Sequence, residues 1–527
     1  MIKRIIENWL TKTNEKGYQI PFCQYLISQK HTIVYISPHG PMEQGKDIIS
    51  IDNNGEVYAF QLKGGNINLT EWRKIEGEIS ELIEVPVKHP SIDYSVFHKP
   101  FLVTNGEISD PVRVNIVDKN RRYEQLNLPK LEVITVSQLV SKFVDVHGSF
   151  LPVQPSDFRV FLELFLSEGT GPLKAELYVD FLKSILVIEN AKKIELQRRI
   201  ASSILLTQYA LQPYETKNNY VSAIEGWTIL CSYIFRLVDE FQIEEKYWKN
   251  SYEIILSKIN DLLNLLKSEF LGRDNYIEGS SLGDGGLLYK SRLTIVLGWL
   301  SAFELFNKVV KDDYQIDNRV YDSIKALYPN NTWFWGESAT PFFVMMSFLS
   351  WEVEDKQLAN GIISNLILDI TYGNAYDGIG TPDPYISLEK ILAVNYNVSE
   401  LDFDFKSFIG SSYHLEALVD ILVRRNKREQ LDILWKDISF IQKSKFIPEH
   451  IWDFFLWRCS KGSQVDSFYE NPQSYSKLAL EANNSDDQVP MILRHNFSLL
   501  YYLLMCFPHR LNHHSLKYID VNFENKA

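Results

Sequence analysis

The chain has 527 residues, of which 45% are hydrophobic and 23% are charged. This composition is typical of a folded globular protein and excludes wholesale disorder. Because domains usually contain about 100–200 residues, we expect about two to four of them. The net charge of -13 excludes a generally basic protein that coats nucleic acid. Any contact with DNA or RNA must therefore come from a local patch.

The charge is unevenly distributed along the chain. Residues 1–150 carry 17 Lys and Arg against 18 Asp and Glu, whereas the remainder carries 37 against 49. The N-terminal part is nearly neutral and can approach phosphate, but the C-terminal part would repel it. The C-terminal part therefore suits a protein partner or self-association.

Cysteine usage and hydropathy indicate a cytoplasmic protein. Four cysteines are far apart and form no C-x-x-C pair: Cys23, Cys231, Cys459 and Cys506. This pattern is typical of reduced thiols. The first residues contain no apolar run of signal-peptide length. The most apolar windows, such as Ser291–Phe306 and Phe497–Phe507, are shorter than the ~18–20 residues that span a bilayer, so no membrane contact is expected.

The N-terminal elements are predicted to follow the order α-β-β-β-α-β, with further αβ structure behind it. Helical spacing or β-branched and aromatic runs predict these elements in chain order: helices Met1–Leu10 and Pro21–Lys30; strands Thr32–Ser37, Lys46–Ile51 and Glu56–Lys63; helix Leu69–Ile83; strands Phe101–Thr104 and Leu131–Thr135; helix Val136–Phe143. Asp52-Asn53-Asn54-Gly55 is a strong hairpin signal between the second and third strands.

Beyond about residue 145 the pattern becomes mainly helical. Gly148–Pro155 is interpreted as a linker. Long helical patterns follow at Phe158–Leu166, Glu195–Gln212, Val221–Phe241, Ser251–Phe270, Ser291–Val310 and Pro341–Trp351. Strand signals are sparse here. The Gly-rich loops Glu278–Gly286 and Tyr372–Pro384 are interpreted as surface connectors. We therefore predict an α/β domain over residues 1–147 and a large mainly α-helical region over 156–527, with a division of the latter near 271–290 left open.

The stretch that carries chemistry lies on the predicted hairpin. Asp47 stands at the start of the second strand, and Gln61 and Lys63 are two residues apart on the third. Residues at i and i+2 of a strand point to the same face. Since the turn Asp52–Gly55 folds the third strand back on the second, Asp47 is expected close to Gln61 and Lys63. The alternative is an ordinary hairpin that exposes Asp47 and Lys63.

These residue types suit phosphodiester hydrolysis. A divalent metal neutralises phosphate charge and lowers the pKa of its bound water. Mg²⁺ prefers hard oxygen ligands, which the Asp47 carboxylate, the Gln61 side-chain oxygen and the Leu62 backbone carbonyl can supply. Lys63 would orient the attacking water and stabilise charge on the phosphate oxygens.

Gly45-Lys46-Asp47 followed by Phe60-Gln61-Leu62-Lys63 resembles the PD-(D/E)XK superfamily, and its Mrr-like restriction endonucleases most closely. Those enzymes have a G-x-D strand, a hairpin and then Q-x-K in place of E-x-K, within the same α-β-β-β-α-β order. The resemblance covers about residues 18–145. It implies a restriction-endonuclease-like fold and a nuclease that depends on Mg²⁺ or Mn²⁺, with DNA as its substrate and RNA left open.

The resemblance also implies further site residues. The family often places a metal-binding Glu on the helix before the first strand, where this chain has Gln24. Glu7, on an earlier helix, is the other candidate. Lys46, Arg73 and Lys74 are candidates for nucleic-acid contact, although a solvated helix face is the favoured interpretation for Arg73 and Lys74.

Nucleases of this type joined to a large helical region resemble bacterial anti-phage defence effectors. By that resemblance, the helical region would sense a signal, form a homo-oligomer or dock a protein partner. Two alternatives stay open: an inactive module that binds nucleic acid without cutting it, and a helical interaction scaffold with a structural α/β domain. The histidines His509, His513 and His514 are interpreted as part of a solvated C-terminal segment.

Overall fold

The computed structural model of the protein describes residues 2–37, 44–89, 92, 97–147, 155–186, 193–272, 286–375, 377–396, 404–457, 462–483 and 488–524. The chain divides into two compact units. The first contains residues 1–238 and 242–261, and the second contains residues 239–241 and 262–527. The predicted linker Gly148–Pro155 and loop Glu278–Gly286 lie almost entirely outside the described residues.

A mixed five-stranded sheet forms the α/β part of the first unit. Its strands, in spatial order, are β1 (Thr32–Ile36), β2 (Ile48–Ile51), β3 (Val57–Lys63), β4 (His98–Thr104) and β5 (Glu132–Ile134). The pairs β1–β2 and β2–β3 are antiparallel, and β3–β4 and β4–β5 are parallel. At the predicted hairpin, Asp52 Oδ1 accepts hydrogen bonds of 2.9 Å from the N–H groups of Asn54 and Glu56. Gly55 adopts φ +81°, which favours glycine.

Helices precede, connect and follow these strands along the chain. In chain order they are α1 (Ile2–Lys12), α2 (Glu15–Ser28), α3 (Leu69–Glu84), α4 (Asp110–Gln125), α5 (Val136–His147), α6 (Pro155–Phe165), α7 (Ala175–Leu186), α8 (Lys193–Thr216), α9 (Tyr220–Phe241) and α10 (Lys249–Leu271). The predicted order of an α/β part followed by a mostly helical region is confirmed.

The two faces of the sheet pack against different helices because side chains alternate along each strand. Val57 and Ala59 of β3 share a hydrophobic core with Ile79 of α3 and Val112 of α4. On the other face, the ring of Phe60 lies 5.1 Å from that of Phe22 on α2. Burial on both faces holds the central strands in one register.

Helix α2 begins six residues earlier than predicted. The Asn14 side chain caps the helix ahead of Gly17 and Pro21 by accepting a hydrogen bond from the Gly17 N–H. The helix then continues through Pro21. An asparagine N-cap satisfies one of the free N–H groups of the first turn, so it fixes the start of the helix ahead of both residues.

The second unit contains helices and a small sheet. Its further helices are α11 (Leu287–Val310), α12 (Asn318–Leu327), α13 (Thr340–Glu352), α14 (Lys356–Gly373), α15 (Leu388–Asn395), α16 (Leu415–Arg424), α17 (Arg428–Ile438), α18 (Tyr475–Asn483), α19 (Met491–His495), α20 (Leu500–Cys506), α21 (His513–Ile519) and α22 (Val521–Glu524). Three strands were not expected: β6 (Ser411–Ser412), β7 (Gln442–Pro448) and β8 (Gly462–Ser467). Sequences such as QKSKFIP and GSQVDS lack an apolar alternation, so their pairing was missed.

Two helices, α9 and α11, are long and apolar enough to cross a membrane by length and composition alone. They are longer than the apolar windows considered in the sequence. Within the fold, 83% and 78% of their most apolar windows are buried. Buried core helices of this kind pass the same test, so these two are weak evidence for a membrane. The described cysteines Cys23, Cys231 and Cys506 are buried, and Cys459 lies outside the described residues.

The expectation of a solvated C-terminal segment is wrong. His509 and His514 are buried, and His513 pairs with the carboxylate of Asp420, 93 residues away.

Candidate metal centre

Asp47 lies directly before β2, opposite Gln61. The antiparallel register pairs Ile48 with Phe60, and the Asp47 N–H continues the ladder by donating to the Phe60 carbonyl at 2.8 Å. The Asp47 carboxylate turns towards β3, where its Oδ2 accepts a 2.6 Å hydrogen bond from the Leu62 N–H. Asp47 is 3% exposed. The alternative with an exposed Asp47 on an ordinary hairpin therefore does not describe this site.

Asp47, Gln61 and Lys63 share one face of the sheet. Opposed residues of an antiparallel pair point to the same side. Two residues further along, Ile49 and its partner Ala59 both enter the core beneath α3. The alternation therefore directs Asp47, Gln61 and Lys63 to the α3 side as well.

The Gln61 side chain is buried, but its amide oxygen accepts no hydrogen bond from the described residues. Gln61 is 5% exposed, and its Oε1 has no hydrogen-bond partner among the described residues. A buried amide oxygen that lacks a partner costs roughly 1–3 kcal/mol. A ligand that accepts electron density from this oxygen, such as a metal ion, would remove that cost.

Lys63 is held by a carboxylate that sequence reasoning missed. Its Nζ lies 2.6 Å from Oε2 of Glu78 on α3, and the two side chains are 19% and 46% exposed. The loop before Asp47 also contacts this helix. Gly45 has φ +71°, and a Cβ there would stand 2.3 Å from the Glu78 carbonyl oxygen. No local sequence signal links Lys63 to Glu78, because the pair depends on how α3 returns across the sheet.

A second missed residue, Tyr18, closes the end of β3 from α2. Its hydroxyl lies 2.9 Å from the Lys63 carbonyl oxygen and 3.1 Å from that of Val103, and it accepts a 3.1 Å hydrogen bond from the Lys63 N–H. Burial raises the pKa of Tyr18 well above its usual value, and the charges of Glu15 and Asp47 add to the rise. The half-buried Glu15, at the start of α2, is therefore a carboxylate near this end of the strand.

The predicted helix ligands are not brought to Gln61 by any described contact. Glu7 is exposed on α1. Gln24 is fully buried, and its amide atoms have no hydrogen-bond partner in the described part of the chain. Its helix packs Phe22 on Phe60, which is the sheet face opposite Gln61.

The predicted nucleic-acid contacts divide into buried and exposed groups. Lys46 is 3% exposed, and its Nζ donates to the carbonyl oxygens of Gln44 and Glu81 at 2.9 and 3.2 Å. As placed, it is not a surface cation. Arg73 and Lys74 are exposed on α3, and Lys74 forms an ion pair of 2.7 Å with Glu71.

Comparison with protein-family models, with curated proteins and with solved structures found no match. The assignment of this site therefore depends on its own geometry.

The oxygen atoms around Asp47 and Gln61 fit a hard divalent cation that takes only a few of its ligands from the protein. They comprise a carboxylate, an amide oxygen without a partner and the adjoining Leu62 backbone, which are oxygen donors of the kind that Mg²⁺ accepts together with several waters. Within the described ranges, no group of three or more His, Cys, Asp or Glu residues is placed to hold a metal. Any cation at Asp47 and Gln61 would therefore rely on few charged ligands.

Proposed function

We propose that the N-terminal α/β part is a metal-dependent nuclease that hydrolyses phosphodiester bonds in DNA. One observation carries the proposal: the buried Asp47 carboxylate and the unpartnered Gln61 oxygen stand opposite each other on adjoining strands, beside Lys63. A carboxylate and a neutral oxygen on one sheet face can hold a divalent metal, and an ammonium beside them can stabilise negative charge on a phosphate.

In this proposal Asp47, Gln61 and the Leu62 carbonyl hold Mg²⁺ or Mn²⁺. The bound metal would supply Lewis acidity and a water of lowered pKa. The Leu62 N–H fixes the orientation of the Asp47 carboxylate. Lys63 would leave Glu78, orient the attacking water and stabilise negative charge on the phosphate.

The resemblance to Mrr-like nucleases joined to a large helical region also supports a cellular role, which is defence against phage. A cytoplasmic anti-phage effector would keep this nuclease silent until its acidic helical region senses a signal, associates with itself or docks a protein partner. The uneven charge supports different roles for the two parts of the chain. The net charge of -12 over residues 151–527 disfavours contact with phosphate in that part. This step is an analogy between architectures.

A second candidate is a nucleic-acid-binding module without catalysis. The ion pair of Lys63 with Glu78 and the small number of charged metal ligands favour it. It differs from the nuclease in two measurable respects: it requires no divalent cation, and it produces no cut strands.

The test measures metal binding and cleavage separately. Titration calorimetry of the full chain with Mn²⁺ should give saturable binding that Gln61→Leu weakens, because this substitution removes the amide whose oxygen lacks a partner among the described residues. Plasmid, linear duplex, single-stranded DNA and RNA are then incubated with the protein and Mg²⁺, Mn²⁺ or EDTA, with Lys63→Met alongside. Cleavage that requires both the cation and Lys63 supports the proposal. Equal Mn²⁺ binding by the wild type and Gln61→Leu contradicts it, even if an activating partner is missing.

A further inference from the structure

The peptide group between Leu62 and Lys63 joins a proposed metal ligand to a hydrogen bond with Tyr18. Its carbonyl is the Leu62 oxygen proposed to bind Mg²⁺, and its N–H donates to the Tyr18 hydroxyl at 3.1 Å. The peptide bond is trans. Because a trans peptide is planar, its N–H and its carbonyl point in opposite directions. The Leu62 carbonyl therefore points away from Tyr18, across β3.

The Leu62 N–H gives the direction of the Leu62 carbonyl independently. It donates to Asp47 Oδ2 at 2.6 Å. In an extended strand, the N–H and the carbonyl of one residue point to the same side. The Leu62 carbonyl and the Asp47 carboxylate therefore lie along the same edge of β3, and the Tyr18 hydroxyl lies along the opposite edge.

An anchor matters at the end of β3 because the chain beyond it is permissive. The parallel register with β4 ends at the pair Lys63–Thr104, and Gly64 and Gly65 follow. Gly65 has φ +77°, and glycine restricts the backbone less than other residues do. The Tyr18 hydroxyl also lies 2.9 Å from the Lys63 carbonyl oxygen. It therefore contacts the peptide groups on both sides of the Lys63 α-carbon, from which the lysine side chain leaves the strand.

Tyr18 is itself held in place by its helix. Its side chain is 0% exposed, and the Asn14 side chain caps the start of α2 one turn before it. One turn after Tyr18, the ring of Phe22 packs against that of Phe60 on β3 at 5.1 Å. A phenol hydroxyl can accept one hydrogen bond from a backbone N–H while it donates its proton to a carbonyl oxygen. Helix α2 therefore presents a fixed hydroxyl to the end of β3.

We propose that Tyr18 is a positioning residue, which orients the Leu62 carbonyl as a metal ligand and fixes the direction of the Lys63 side chain. This inference rests on the proposed function, because it requires a cation at Asp47 and Gln61. Tyr18 touches no reacting atom, since its hydroxyl lies across β3 from Asp47. Its effect passes through one peptide plane: without the hydroxyl, the Lys63 N–H loses this hydrogen bond and the plane can rotate. Residues that orient metal ligands typically contribute about 10–100-fold to metal affinity or activity.

The first test is titration calorimetry of the full chain with Mn²⁺ alone, for the wild type, Tyr18→Phe and Tyr178→Phe. Tyr178 is the matched control, because it is also 0% exposed in the first unit and its hydroxyl lies 2.8 Å from Thr207 Oγ1. Both variants lose a buried hydroxyl that has a partner, so both should melt at a lower temperature than the wild type. We expect Tyr18→Phe to weaken Mn²⁺ binding about tenfold and Tyr178→Phe to leave it unchanged.

A second test observes the Leu62 carbonyl directly. The full chain is labelled with ¹³C at the carbonyl carbon of leucine, Mn²⁺ is added, and the coupling of ¹³C to the ion is measured by pulsed electron paramagnetic resonance. Leu62→Ile keeps a carbonyl at this position but removes its label, so this variant identifies the signal. We expect a strong coupling in the wild type, which Leu62→Ile removes and Tyr18→Phe weakens.

The proposal is overturned if Tyr18→Phe binds Mn²⁺ as tightly as the wild type, or if both tyrosine variants lose affinity equally. The absence of a leucine carbonyl coupling in the wild type would overturn it as well. In each of these cases the wild type still binds Mn²⁺ and Gln61→Leu can still weaken that binding, so the proposed nuclease stands. If the wild type binds no Mn²⁺, both proposals fail together.

Discussion

The Lys63 ammonium and the Glu78 carboxylate lie 2.6 Å apart, which joins the proposed catalytic lysine on β3 to the middle of α3. In the proposed reaction Lys63 must face a phosphate, so this ion pair competes with substrate. A partly exposed pair contributes about 0–1 kcal/mol. We therefore expect Glu78→Gln to raise the cleavage rate, by up to about fivefold.

The control for this prediction lies on the same helix. Glu71 pairs with Lys74 at 2.7 Å and has a similar exposure, 45% against 46% for Glu78. Glu71→Gln should leave the rate unchanged in a plasmid-cleavage time course. A fall in rate with Glu78→Gln would instead indicate that Glu78 is itself part of the metal or water site.

Gln61→Glu should tighten binding of Mn²⁺. The substitution places a second carboxylate opposite Asp47, and divalent cations prefer charged oxygen ligands. We expect the affinity for Mn²⁺ at neutral pH to increase about tenfold or more, measured by titration calorimetry. A tenfold change corresponds to about 1.4 kcal/mol of additional interaction between the cation and the new carboxylate. Without metal, two carboxylates on facing strands repel each other, so the variant should melt at a lower temperature in EDTA than in Mn²⁺. Unchanged affinity would remove Gln61 from the metal site.

Asp47→Asn separates the charge of this residue from its hydrogen bond. The amide oxygen of asparagine can still accept from the Leu62 N–H, so the fold should persist with little change in circular dichroism. Cleavage and Mn²⁺ affinity should fall at least about 100-fold, since even groups that merely orient metal ligands contribute about 10–100-fold. Asp47→Ala should in addition lower the melting temperature. Retained cleavage by Asp47→Asn would count against the nuclease.

Lys46 should make stability rise with pH above about 8. Burial lowers the pKa of its ammonium from 10.5 to about 8. Between these values the unfolded chain binds more protons than the folded chain, so the free energy of unfolding increases as pH rises. We expect the wild type to gain stability relative to Lys46→Met between pH 8 and pH 10, measured by urea unfolding. A difference that stays constant over this range would show that Lys46 is accessible to water.

Glu337 in the second unit should have the opposite effect to Lys46: its contribution to the free energy of unfolding should fall as pH rises. Its carboxylate accepts hydrogen bonds from the Ser412 hydroxyl and from the N–H groups of Tyr413 and His414. Burial nevertheless raises the pKa of Glu337 from 4.5 to about 7. The folded chain then holds the extra proton, so this contribution to stability is complete below about pH 4.5 and is lost as pH rises through about 7.

The measurement for Glu337 is the melting temperature at pH values from 4.5 to 8. The advantage of the wild type over Glu337→Gln should shrink across this range, because the neutral amide does not titrate. Glu429→Gln, an exposed carboxylate in the same unit, should track the wild type. A growing advantage with pH would mean that the folded chain stabilises the carboxylate, contrary to the expected direction.

The sequence by itself determined the features that depend on neighbouring residues. The turn Asp52–Gly55 joins β2 to β3 as predicted, because Asp and Gly satisfy the backbone of a tight turn locally. Gln61 and Lys63 share a face because strand residues alternate with a period of two. A hairpin in this register leaves Asp47 opposite Gln61.

The tertiary structure decided which distant groups meet and which are removed from water. The partners of Lys63 and His513 are Glu78 and Asp420, and no local pattern specifies either pair. Lys46 was a candidate for nucleic-acid contact in the sequence, but in the fold it is buried and its ammonium donates to the Glu81 carbonyl oxygen on α3. Periodicity fixes the face on which a side chain lies, but the packing of whole helices sets the distance across that face and the desolvation that moves a pKa.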